Sequence, residues 1–131
     1  MDVEGIYRKS GGSSQVTQVK SGFENNDELD ISDPDLDIHA VTSALKNYFR
    51  RLPVPLITFS VYNQFLEAGA IENQEQKAKA LHAAIREIPR AHHDTLQFLI
   101  FHLSRVIQHA NDNLVSSLLC HFWDLFLTIH R

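Results

Sequence analysis

Arg8 is the side chain best placed to do chemistry, because of what surrounds it in the chain. It lies in Glu4-Gly5-Ile6-Tyr7-Arg8-Lys9-Ser10-Gly11-Gly12. Ile6 and Tyr7 can anchor this stretch to a core, and the small residues Ser10 to Ser14 that follow can bend freely. That order holds one guanidinium out from a fixed base. Arginine is permanently charged, and its planar set of donors suits phosphate oxygens better than a lysine ammonium does. Taken alone, these residues fit a solvated loop arginine as well as an anion-directed one.

A second group of cations lies further on. Lys46 and Arg50 are four residues apart, hence one helical turn apart on one face, with Arg51 beside them. Cations at a helix C-terminus complement its dipole, which stabilises by about a few tenths of a kcal/mol. That accounts for Arg51. Lys46 is more than a turn from the helix end, and there the pattern favours an electropositive surface for an acidic protein partner.

Other chemistries find little support. The eight histidines include adjacent His92 and His93, and His102 and His109 seven apart, but no HxxxH, HExxH or cysteine pair. No metal site is expected. The single cysteine, Cys120, sits among Leu118, Leu119, Phe122 and Trp123, and its neighbour His121 points elsewhere on a helix. A small buried hydrophobe fits it better than a nucleophile. There is no GxSxG, and Ser10-Gly11-Gly12 lacks both the GK[ST] and the preceding strand of a phosphate-binding loop. Asp35 and Asp37 suit a helix N-terminus. The chain carries no self-contained active site, needs no cofactor, and reads as something other than an enzyme in its own right.

Composition sets the frame. With 131 residues, 44% of them apolar, the chain is one domain or part of one and can bury a real core. A net charge of -4 gives no global excess of cations for nucleic acid or an anionic membrane. A lone cysteine and a start without a signal peptide fit a cytoplasmic protein, and no run of residues is apolar enough to insert in a membrane.

The elements that must position these residues are helices. A short helix is expected from Ser13 or Ser14 to about Ser21, ended by Gly22. A second, about Leu36 to Arg51, carries an apolar stripe of Ile38, Val41, Leu45, Tyr48, Phe49 and Leu52, with His39, Ser43, Lys46 and Arg50 down another face. Leu52-Pro53-Val54-Pro55-Leu56 stops it and stiffens the connection. A third runs from Thr58 or Ser60 to about Ala70 and should bury Phe59, Tyr62, Phe65 and Leu66. A fourth, about Gln74 to Ile88, is capped by Asn73, with Ala78, Leu81, Ala84, Ile85 and Ile88 inward. A long one, roughly His92 to Ala110, has a core stripe of Leu96, Leu99, Ile100, Leu103, Val106 and Ile107. Asn111-Asp112-Asn113 is a turn, and Leu114 to Arg131 is apolar nearly all round.

With these pieces in place the chain resembles the Rho GTPase-activating (RhoGAP) domain. The resemblance rests on Glu4 to Gly11, on Asp37 to Thr58, on Leu81 to Pro89, and on His92 to Leu99 with His102-Leu103, in that order. It implies an all-α, RhoGAP-like helical bundle that docks on a Rho/Rac/Cdc42-type small GTPase in its GTP-bound state. It implies that Arg8 is an arginine finger supplied in trans. It makes Lys46 and Arg50 partner-contacting or loop-supporting residues, with Pro55 lining the same GTPase-binding surface. Family members carry a further helix before the finger stretch, so the bundle is expected to be incomplete, with its first and closing helices missing. Residues 1–113 are expected to form a partial RhoGAP domain. Residues 114–131 are expected to be a divergent apolar helical tail in which the family's contact asparagine has no counterpart, as an altered frame, a splice variant or a wrong gene model would give. The alternative to an active domain is a binding-only remnant that docks without stimulating hydrolysis.

Overall fold

The computed structural model describes residues 2–26 and 28–113; residues 114–131, expected to be a divergent apolar tail, lie outside the described residues. The described residues hold only helices, as the all-α expectation required: α1 (Ser13–Glu24), α2 (Ile38–Arg50), α3 (Phe59–Ala70), α4 (Gln74–Arg86), α5 (Arg90–Gln108) and α6 (Ala110–Asn113). They fall into two compact units. Of the described residues, those up to 51 and from 103 to 113 make the first, and residues 52–102 the second.

In the first unit α1 packs on α2. Helix α1 runs through Gly22, where a stop was expected. Gly22 is buried, and a Cβ added to it would stand 3.2 Å from the Leu29 side chain. The glycine is there for a close approach, and the helix ends instead at Asn25 and Asn26, the latter at φ 53. The next segment turns twice. Asp33 N–H donates to Asp30 O at 3.2 Å, and Leu36 N–H to Asp33 O at 3.0 Å. Asp37 then caps α2, its carboxylate accepting the His39 N–H at 2.9 Å, so this helix starts two residues later than its apolar pattern suggested.

The buried side of α2 also differs from expectation. Its buried residues are Ala40, Thr42 and Ser43, while Ile38, Val41, Leu45 and Phe49 are half-buried and Tyr48 is 61% exposed. The side of α2 that is closed off is small and partly polar, which matters for the loop described below. Ile6, Val19, Ala40, Leu103 and Val106 are the apolar core residues of this unit.

In the second unit α3 packs on α4. Leu56, Ile57, Val61, Phe65, Ala68, Ala84, Ile88, Leu96 and Leu99 are its core. Phe59 and Leu66, expected inside, are 60% and 41% exposed, and Val61 and Ala68, each two positions further along the helix, are buried instead. Asn73 caps α4 as expected, accepting the Gln76 N–H at 3.0 Å; Ala78 is exposed. In α5 the buried positions Leu96, Leu99, Leu103 and Val106 follow the 3-4-3 spacing of a helix face, but Ile100 is 46% exposed. Phe98 and Phe101 stand on the outer side of the same helix, 74% and 61% exposed. None of the described helices is long and apolar enough to cross a membrane.

Candidate functional site

Residues 3–12 form a tight loop ahead of α1. Ile6 N–H donates to Val3 O at 3.1 Å, and both Arg8 and Lys9 N–H donate to Gly5 O at 2.9 and 2.8 Å. The geometry needs two left-handed residues, Gly5 at φ 73 and Tyr7 at φ 66. Glycine adopts such a φ at no steric cost, but for a bulky tyrosine it is an outlier that surrounding structure must hold. Ile6 holds the base, only 5% exposed. Tyr7 is half-buried, and that burial pushes its phenol up to about 12.

Helix α2 supplies the rest of the restraint. Lys46 Nζ donates to the Tyr7 carbonyl at 2.8 Å. Ser43 Oγ accepts the Gly11 N–H at 3.1 Å. Gly11 also lies against the backbone of Ala40 so closely that any Cβ on it would collide there. Lys46 is half-buried, which lowers its pKa; the neighbouring charge of Arg50 adds to the effect. Between helices, Asp37 N–H reaches Gln15 Oε1 of α1 at 3.3 Å.

The guanidinium of Arg8 is left at the surface, its side chain 54% exposed. Glu4 Oε1 lies 4.0 Å from Arg8 Nη2, beyond hydrogen-bond reach, and accepts a bond from Lys9 Nζ at 3.1 Å. That bond, and the charges of Lys9 and then Arg8, draw the Glu4 carboxyl below the usual carboxylate range. Arg50 is exposed one turn beyond Lys46. Of the four residues expected to act together, Arg8, Lys46 and Arg50 are thus grouped in the first unit. Pro55 belongs to the second unit, where it is buried, and the exposed residues of its turn are Pro53 and Val54.

An exposed arginine on a loop bolted to a helix by a lysine is one pattern; what the whole chain matches settles its kinship. The RhoGAP domain model matches residues 1–128. This chain belongs to the RhoGAP domain family. Among curated relatives, the rat N-chimaerin (Rattus norvegicus) is 43% identical over 119 residues, covering 89% of this chain and 36% of the relative. The human Rho GTPase-activating protein 27 (Homo sapiens) is 36% identical over 117 residues, covering 88% of this chain and 13% of that protein. The chain therefore spans well under half the length of these relatives. Among solved structures, human Rho GTPase activating protein 15 superposes with a TM-score of 0.79 at 34% identity, over 86% of this chain and 54% of that one. The BH domain of Graf, the GTPase regulator associated with focal adhesion kinase, gives 0.86 at 30% identity, over 96% and 69%.

Some features of this RhoGAP chain escape its sequence. The face His39, Ser43, Lys46 and Arg50 is legible from spacing, but nothing in the spacing says that Ser43 and Lys46 bond to the Tyr7–Gly11 loop rather than to solvent. Asp2, His109 and Asp112 are far apart in sequence and converge, with ligand-capable atoms within 4.8 Å of one another. Two of them form an exposed ion pair, His109 Nδ1 to Asp2 Oδ1 at 2.9 Å. Among the described residues, the one buried side-chain polar atom without a partner is Nδ1 of half-buried His39.

Proposed function

We propose that this chain is the activating domain for a Rho-family small GTPase in its GTP-bound state, and that Arg8 is the arginine finger it supplies in trans. Family membership supports the general role. The observation that supports the finger is a contrast at this point of the loop: the Arg8 N–H is bonded to Gly5 O and the preceding Tyr7 carbonyl to Lys46, while the guanidinium stays unburied and makes no hydrogen bond to Glu4. Phosphoryl transfer from GTP spreads negative charge over the equatorial oxygens of the moving group. A positioned arginine neutralises that charge, and one supplied in trans accelerates hydrolysis by about 10³–10⁵-fold. The partner provides the nucleotide, its metal and the attacking water, so this chain needs no cofactor of its own and acts as a regulator in the cytoplasm.

Lys46 has two roles in this reading. It holds the finger loop through Tyr7 O, and together with exposed Arg50 it gives the neighbouring surface positive potential toward the GTPase. Pro55 contributes by setting the shape of its turn from a buried position.

Single-turnover GTP hydrolysis by a panel of Rho-type GTPases tests the proposal. Wild type should accelerate hydrolysis, and Arg8→Ala should lose most of the acceleration while still binding the GTPase loaded with a non-hydrolysable GTP analogue. An unchanged rate with Arg8→Ala refutes the finger. A wild type that binds and does not accelerate points instead to a docking module.

A further inference from the structure

We propose that Ser43 is a positioning residue for Arg8: its hydroxyl pins the far side of the finger loop at Gly11 while Lys46 pins the near side at Tyr7. The inference rests on the finger reading above and extends it to a residue with no charge and no access to a partner. Ser43 is only 8% exposed. A serine inside a helix usually faces solvent or bonds back to the carbonyl four residues earlier. Here Oγ instead accepts the Gly11 N–H at 3.1 Å across 32 residues of chain. Lys46 makes its bond to Tyr7 O at 2.8 Å across 39 residues. The two donors and acceptors are three positions apart on α2, hence on one face, and they grip the loop one residue before Arg8 and three residues after it.

The fit of backbone to helix supports the same role. Gly11 comes so close to Ala40 that there is no room for a Cβ between them. The buried surface of α2 at this point is Ala40 and Ser43, small enough to admit a passing backbone. With both clamps in place, the three residues from Arg8 to Ser10 span two fixed points, and the Cα of Arg8 adjoins one of them. With Ser43 lacking its hydroxyl, the loop is fixed on one side only, and the guanidinium spreads over a wider range of positions. Catalysis by orientation is sensitive to such spreading, whereas docking through Arg50 and the rest of the surface is not.

Single-turnover hydrolysis at saturating activator, run with the full chain, tests this. Ser43→Ala should lower the maximal rate about five-fold, the equivalent of one neutral hydrogen bond, with affinity for the analogue-loaded GTPase unchanged. Ser43→Thr, which keeps the hydroxyl, should restore the rate. In an Arg8→Ala background, Ser43→Ala should have no further effect, because the two residues act through one group. Amide exchange gives a readout apart from activity: Ser43→Ala should speed exchange at Gly11 and leave the α1 and α2 amides protected. If wild type accelerates and Arg8→Ala does not, yet Ser43→Ala matches wild type in rate and in Gly11 exchange, the positioning role is wrong and the finger stands. If wild type itself gives no acceleration, the finger reading falls and takes the positioning role with it.

Discussion

Replacing Lys46 by Met keeps the aliphatic stem and deletes only the ammonium, so it isolates the bond to Tyr7 O. A hydrogen bond from a charged donor contributes about 1.5–3 kcal/mol. Against it stands the left-handed backbone of Tyr7, which costs an L-residue about 1–2 kcal/mol. The bond thus just outweighs the strain it holds. Without it, the strained conformer should lie about 1–2 kcal/mol above a relaxed loop, making the catalytic geometry about 5–30-fold rarer. The maximal single-turnover rate should fall by that factor. Global stability should fall less, because burial of the ammonium, visible in its lowered pKa, already offsets part of the bond. Urea unfolding should therefore shift by about 1 kcal/mol or less while activity falls by an order of magnitude. Lys20→Met, whose part-exposed side chain on α1 pairs with Glu24 at 3.6 Å, is the matched control and should do neither. If Lys46→Met keeps the wild-type maximal rate and loses only affinity, Lys46 serves the partner alone and the strain-holding account is refuted.

Two further outcomes follow from the same loop. Burial raises the Tyr7 phenol to about 12, so the neutral form is favoured in the folded protein: its contribution is fully present below about pH 10 and is lost as pH rises from there to about 12, amounting to about 3 kcal/mol at most. Ultraviolet titration should show a tyrosine step near pH 12; Tyr7→Phe should abolish that step and flatten the alkaline loss of stability, and a step there that survives refutes the assignment. Gly11→Val should destabilise by about 1–3 kcal/mol, since its Cβ meets the Ala40 backbone, whereas Gly12→Val, whose Cβ would have open space, should be nearly neutral in urea unfolding. Equal losses at the two sites would show that Gly11 is not in close contact with α2.

What could be read from sequence was periodic or chemically distinctive. The 3-4-3 spacing of Leu96, Leu99, Leu103 and Val106 identifies the buried face of α5, and Asn73 announces the start of α4 because its side chain satisfies an otherwise unpaired N–H. Failures cluster where tertiary contact decides. Gly22 reads as a helix stop because glycine favours ends, yet Leu29 makes it a point of close approach. Phe59 and Leu66 read as core by hydrophobicity, although small Ala68 and β-branched Val61 occupy the packed side of α3. On α2 the apolar stripe draws attention away from the residues that close against the Tyr7–Gly11 loop: nothing marks Ala40, and Ser43 stands out only as a member of the polar face. Arg8, Lys46 and Arg50 stand out by charge alone, but the Tyr7 carbonyl that joins two of them is a backbone atom, and backbone atoms leave no mark in a sequence.

On the proposed finger reading, the placement of Glu4 bears on how Arg8 is kept ready. A carboxylate beside an arginine finger could disable it by holding the guanidinium. Here Lys9 takes the hydrogen bond at 3.1 Å, and Arg8 is left at 4.0 Å. Both sides of the remaining attraction are more than half exposed, where water and salt screen it. On the proposed finger reading, phosphate oxygens in a partner's closed site would offer Arg8 a drier and more negative environment than Glu4 does, so the guanidinium would leave Glu4 for phosphate. Glu4 and Lys9 then keep the guanidinium near the loop without opposing its release, while Lys46 and Ser43 keep the backbone from following it. The division is physical: part-buried hydrogen bonds act on the main chain, and only a solvated ion pair at 4.0 Å acts on the Arg8 side chain.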